Sequence, residues 1–144
     1  MLTCTKIYLD IPFAHRQPNH TGHCQLIHGH NWSLEIEFSA EKLDKCGFVV
    51  DFGDLGYLKN YLAHLDHALV LNESDPFVGT DLYLECLALG LFKPVLVPDC
   101  SSEGLAVLFQ KEMDALVGVN TEGRVRVTRV KVMEDHKNSV EYSC

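Results

Sequence analysis

The densest chemistry in this sequence lies in His23-Cys24-Gln25-Leu26-Ile27-His28-Gly29-His30, three imidazoles and a thiol just ahead of an apolar–polar alternation that begins at Trp32. His28 and His30 are two apart, so on a strand both side chains leave the same face, as two ligands of one metal ion must. A third nitrogen is available at His15, which ends a run of apolar odd positions, Ile7, Leu9, Ile11 and Phe13, and shares their parity. If the two strands pair antiparallel, their ends meet across the loop at 17–22 and the three rings converge. Three neutral imidazoles with an open fourth position describe a catalytic rather than a structural zinc site. The competing reading is a histidine-rich surface turn that happens to precede a strand.

Cys24 stands four residues before His28, within reach of the metal or of a substrate held on it. As a fourth ligand it would close the site; as a free thiol beside a dication it would ionise near neutral pH and act as a base. Asp66-His67 places a carboxylate beside an imidazole, which fixes a tautomer and raises basicity. A helix end also favours such a pair through its dipole.

The elements that must position these residues follow from periodicity. Trp32, Leu34, Ile36 and Phe38 alternate with Ser33, Glu35 and Glu37, which predicts a half-buried strand whose register extends back to His28 and His30. Gly47 to Val50 reads as a short strand or bend. Asp51 to Asp54 supplies capping groups for a helix carrying Leu55, Leu58, Leu62 and Leu65 at helical spacing and ending near Leu65-Asp66-His67. Residues 73–100 suggest a short helix over Leu82 to Leu89 and a strand through Pro94 to Pro98. A second long helix starts at Ser101/Ser102, buries Leu105, Leu108, Phe109, Met113 and Leu116, and stops at Gly118. Two final strands, at 124–134 and 138–143, are joined by a polar turn around Asp135 to Asn138. The order strand-strand, helix, helix, strand-strand predicts one α+β domain over 1–144, an antiparallel sheet with helices on one face.

Composition bounds the function. With 144 residues, 47% apolar and 22% charged, the chain is long enough to bury a core without staples. Six scattered cysteines without a CxxC pair fit reduced thiols in the cytoplasm, and no export signal or membrane span is indicated. A net charge of -8 argues against nucleic acid as a partner. Arg124, Arg126, Arg129, Lys131 and Lys137 nevertheless cluster late in the chain, as a solvated strand face or as the holder of a small anion.

Taken in order, Phe13-Ala14-His15, Cys24 with His28-Gly29-His30, Val49-Val50-Asp51-Phe52-Gly53-Asp54-Leu55, Leu65-Asp66-His67, Ser102-Glu103 and the late Val132-Met133-Glu134 closely resemble the 6-pyruvoyltetrahydropterin synthase / 6-carboxytetrahydropterin synthase family, over about positions 5 to 142. The resemblance implies the tunnelling fold, a four-stranded antiparallel sheet with two helices whose subunits continue the sheet into a trimeric barrel, two trimers stacking into a homohexamer. It implies that His15, His28 and His30 bind Zn2+, that Cys24 is the proton-abstracting base, and that Asp66 and His67 complete a catalytic relay. It further implies that Glu134 grips the pterin ring, with Glu103 a second candidate for ligand contact. The activity implied is a zinc-dependent lyase acting on 7,8-dihydroneopterin triphosphate. Only Gln25-Leu26-Ile27 separates Cys24 from His28, as in the members that form 6-carboxy-5,6,7,8-tetrahydropterin for queuosine biosynthesis. The sister product, 6-pyruvoyltetrahydropterin, and a zinc- or pterin-binding module without turnover are the alternatives. Two departures from the family pattern, the long 73–100 segment and Glu134-Asp135-His136-Lys137-Asn138-Ser139 in place of a small-residue turn, both touch the rim of the expected pocket.

Overall fold

The structure, a computed structural model, describes residues 1–144. Strands β1 (Leu2–His15) and β2 (His28–Ala40) form a long antiparallel hairpin running from Leu2 opposite Ala40 to His15 opposite His28. On β2 the alternation holds as far as Phe38, and Trp32, Leu34, Ile36 and Phe38 are fully buried. On β1 the expected parity holds only after residue 10. Tyr8 pairs with Leu34 and Ile11 with Trp32, so β1 carries one additional residue there, with Asp10 at φ 60°. Such a bulge inverts the side-chain parity. Ile11, Phe13 and His15 therefore face the core, whereas Ile7 and Leu9, expected on the same face, are 49% and 66% exposed. Cys4 and Tyr8 pack inward in their place.

The Asp51 carboxylate accepts from the Gly53 amide and starts the turn leading into α1 (Gly56–Ala63). Leu55, Leu58, Leu62 and Leu65 are buried as their spacing predicts. β3 (Ala68–Asn72) then runs parallel to the end of β1, with Ala68 opposite Phe13 and Val70 opposite His15. α2 (Asp81–Ala88), capped by the Thr80 hydroxyl, leads into β4 (Lys93–Val97), parallel to β3. α3 (Ser102–Asn120), capped by Ser101, continues two residues past Gly118. β5 (Val125–Met133) and β6 (Ser139–Ser143) complete a sheet of order β4-β3-β1-β2-β5-β6.

The four antiparallel strands expected are β1, β2, β5 and β6, but the sheet is a mixed one of six, because β3 and β4 add a parallel pair beside β1. The pair of helices that the resemblance implies is likewise one short, the third being α2, where the sequence suggests a short helix over Leu82 to Leu89. α1 and α3 cover one face, where Leu58, Leu105, Phe109 and Met113 meet the inward side chains of β2 and β5. α2 covers the other face of β3: Leu69 and Leu71 pack on Tyr83, Phe77 and Phe92, while Ala68 and Val70 point into the main core. A strand buried on both faces has no alternation to show.

Candidate metal centre

His15 and His28 face each other on the last rung of the β1–β2 ladder, and His30 stands opposite Phe13. The ring centroids lie 4.7 Å (His15 to His28), 5.4 Å (His15 to His30) and 5.0 Å (His28 to His30) apart. One ligand atom from each of the three, and one from Glu134, all fall within 4.8 Å of one another. Trp32 lies beneath, its ring 5.0 Å from His15 and 5.3 Å from His30, stacked on Phe13 at 4.5 Å and donating from Nε1 to the Phe13 carbonyl at 3.0 Å. The imidazoles thus stand on a packed aromatic floor.

Backbone carbonyls fix two of the tautomers. His15 Nδ1–H donates to Cys100 O at 2.8 Å and His28 Nδ1–H to Leu26 O at 2.6 Å, which leaves the Nε2 lone pair free on each ring. His15 Nε2 and His30 Nε2 are buried without a hydrogen-bond partner. Glu134 Oε1 lies 2.7 Å from His30 Nε2 but out of line for a hydrogen bond, and its other oxygen accepts from Ser102 Oγ at 3.1 Å. Burial pushes the His15 pKa down, the Cys100 carbonyl partly offsets this, and the neighbouring His28 and His30 lower it further. Ring nitrogens left unshared and converging beside a carboxylate fit a divalent cation such as zinc.

The approach to His15 is held from the β3–β4 side. The Cys100 amide donates to Asn72 Oδ1 at 2.7 Å, and its thiol to the Arg16 carbonyl at 3.2 Å. Arg16 Nε donates to the buried Asp75 carboxylate at 2.8 Å. The long 73–100 segment therefore returns to His15 and does more than decorate a rim.

Above the imidazoles opens a cleft of about 320 Å³ lined by His15, Gln17, Cys24, His28, Glu103 and Glu134, among others. Cys24 sits in a single 3-10 turn, His23–Gln25, its carbonyl accepting from the Gln17 amide at 2.8 Å. Glu103 occupies the first turn of α3 and is exposed. Gln17 carries no motif and only the fold brings it in, while Ser102, read from the sequence as part of a helix start, also lines the cleft.

Asp66 and His67 are not in this cleft. They contact each other at the surface, their side chains 54% and 85% exposed, and Asp66 lines a separate groove with Tyr8 and Lys59. The His67 amide donates to Pro12 O, three residues before His15 on β1, about 10 Å back along the strand. One chain alone therefore does not assemble the expected relay. The late basic cluster is largely paired off as well: Arg126 bridges to Asp114, Arg129 to Glu35 and Glu141, and Arg124 donates to the Lys42 and Phe48 carbonyls.

A family profile described as 6-pyruvoyl tetrahydropterin synthase matches residues 5–144. The chain belongs to this family. Among relatives, the 6-carboxy-5,6,7,8-tetrahydropterin synthase of Rickettsia typhi is 39% identical over 84 residues, 57% of this chain and 60% of that protein. The match thus spans about three fifths of the relative's length. The protein of the same name from Aquifex aeolicus is 26% identical over 123 residues, 83% of this chain and 75% of its own. An uncharacterized protein from Wolinella succinogenes superposes with a TM-score of 0.77 at 17% identity, covering 99% of both chains. The 6-pyruvoyltetrahydropterin synthase of Plasmodium vivax does so with 0.66 at 14%, covering 100% of both. At these identities the likeness to solved structures is one of fold. No helix is long and apolar enough to cross a membrane.

Proposed function

We propose that this member of the family converts 7,8-dihydroneopterin triphosphate to 6-carboxy-5,6,7,8-tetrahydropterin, acetaldehyde and triphosphate, with zinc held by His15, His28 and His30. The observation that carries the reading is the convergence of three imidazoles, two with their tautomers fixed by carbonyls and lining the cleft that Cys24 also lines. Relatives bearing the 6-carboxy name, matched over 57% and 52% of the chain, support the choice of product.

Zinc, when bound, supplies Lewis-acid stabilisation of charge developing on the substrate's side-chain oxygens. The rest falls to the chain. Glu134, its carboxylate held by Ser102, accepts paired N–H groups of the pterin ring and sets the substrate's orientation over the triad. Cys24 takes the side-chain proton, and the three-residue tether to His28 fixes where its sulfur stands. Asp66 orients His67, whose ring returns a proton. Because that pair is exposed and remote from its own chain's cleft, it serves the cleft of a neighbouring subunit. A homo-oligomer, a hexamer built as a dimer of trimers, is part of the proposal. So are a cytoplasmic location and a place in queuosine biosynthesis.

The test is incubation of zinc-loaded protein with dihydroneopterin triphosphate and identification of products by mass spectrometry. Trapped acetaldehyde supports the reading. Accumulation of 6-pyruvoyltetrahydropterin without acetaldehyde replaces it with the sister reaction, and no turnover leaves a binding module.

A further inference from the structure

We infer that Gln17 is a substrate-side specificity residue, its side-chain amide donating to an oxygen acceptor on the substituent at C6 of the bound pterin. Gln17 Nε2 is buried and has no hydrogen-bond partner within the chain, and it lines the same cleft as His15, Cys24, His28 and Glu134. A buried donor left unpaired is costly, so an amide kept in that state at the wall of a cleft is matched to something that enters the cleft.

Its place along the chain says which part of the ligand it meets. Gln17 is two residues beyond His15, and its backbone amide donates to the Cys24 carbonyl at 2.8 Å, so residue and thiol travel together as two sides of one loop. Of the residues lining the cleft, Glu134, held by Ser102, is assigned above to the pterin ring and Cys24 to the substituent. Joined to Cys24 through that backbone bond, Gln17 goes with the residue assigned to the substituent. The acceptor is a hydroxyl, carbonyl or phosphate oxygen of the substituent. An amide at this position also discriminates, because a ligand lacking such an oxygen leaves the donor as unpaired as before and gains nothing from the contact.

This inference rests on the proposed pterin reading, and the experiment separates the two. Wild type and Gln17→Leu, which removes the donor at similar volume, are compared in their zinc-loaded forms for equilibrium binding of neopterin, which carries hydroxyls on its substituent, and of unsubstituted pterin. Thermal melts are recorded without ligand. The expected result is a loss of about tenfold in neopterin affinity with pterin affinity and zinc content unchanged, and a melting temperature equal to or above wild type, since a buried unsatisfied group has been removed. A melting temperature well below wild type would make Gln17 a structural residue and overturn the inference. Unchanged neopterin affinity would overturn it as well, as would equal losses for both ligands, which would put the contact on the ring. Wild-type protein that binds neither compound refutes the pterin reading itself, and the inference falls with it.

Discussion

His15 and His28 face each other across the terminal rung of the β1–β2 ladder, and each hands its Nδ1 proton to a backbone carbonyl, His15 to Cys100 and His28 to Leu26. The pairing is a consequence of strand register and the tautomers a consequence of loop geometry, so the chain itself sets both free Nε2 lone pairs in place. Replacing His15, His28 or His30 singly by Ala should abolish most zinc binding, because two imidazoles hold the ion poorly. Metal analysis after dialysis reads this directly, and near-stoichiometric zinc in all three variants would remove the assignment. Cys24→Ala, by contrast, should retain zinc and fold while losing turnover.

Glu134 approaches the triad closely enough to compete as a ligand, which makes its role the sharpest question at the site. If it anchors the pterin, Glu134→Gln should weaken pterin binding at least tenfold, since the amide presents a donor to ring donors, and should leave zinc affinity within about threefold of wild type. Zinc titration alongside pterin binding separates the roles. A large loss of zinc would reassign Glu134 to the metal, with Glu103 next in line for the ring.

Asn72 is the far end of a relay: it holds the Cys100 amide, and the Cys100 carbonyl holds His15. Outer-shell partners of metal ligands are worth about 10–100-fold in affinity. Asn72→Ala should therefore weaken zinc binding by about tenfold, measured against a competing chelator, and Asn72→Asp, which keeps the acceptor oxygen, should restore most of it. Equal zinc affinity in all three proteins would show that Cys100 is held well enough by its thiol contact to Arg16.

What the sequence could and could not disclose follows from how each residue is positioned. Strict alternation made β2 readable to the residue, and the HxH spacing with His15 at matching parity placed all three imidazoles together, because strand periodicity is a local property. The bulge at Asp10 is not local in that sense: Ile7 and Leu9 are as apolar as Ile11, and only the pairing with β2 shows that they face outward. β3 escaped notice because Ala68 to Leu71 is an unbroken apolar run without alternation, buried between the main core and α2. Gln17, Asn72 and Cys100 carry no motif; their roles come from contacts across 7 to 85 residues of chain.

Asp114 offers a pH test independent of the metal. The Arg126 guanidinium, and then the Val127 amide, hold its carboxyl below the ordinary value of 3.8. A folded pKa below the unfolded one means that the unfolded chain binds the proton more readily, so the contribution is fully present above pH 3.8 and is lost as pH falls through the folded value. Asp114→Asn should cost about 1 kcal/mol at neutral pH, discounted because Arg126 is exposed, and nothing once the wild-type carboxyl is protonated. Denaturant melts at both pH values check this; a deficit that persists undiminished in acid would mean that the loss is packing and not charge.

Asp66 and His67 are exposed and away from their own chain's cleft, while Cys24 lines that cleft. If the proton relay is completed across a subunit interface, Cys24→Ala and His67→Ala are each inactive alone, yet a mixed assembly contains sites that combine an intact Cys24 with an intact His67. Random reassociation of equal amounts in a symmetric oligomer restores activity at about a quarter of the sites. The measurement is to unfold the two variants together, refold them, and assay acetaldehyde release against each variant refolded by itself. Recovery of roughly that fraction places the two catalytic groups on different chains. No recovery, with mixed assemblies verified by mass, would remove His67 from the reaction or require it to reach the thiol of its own chain.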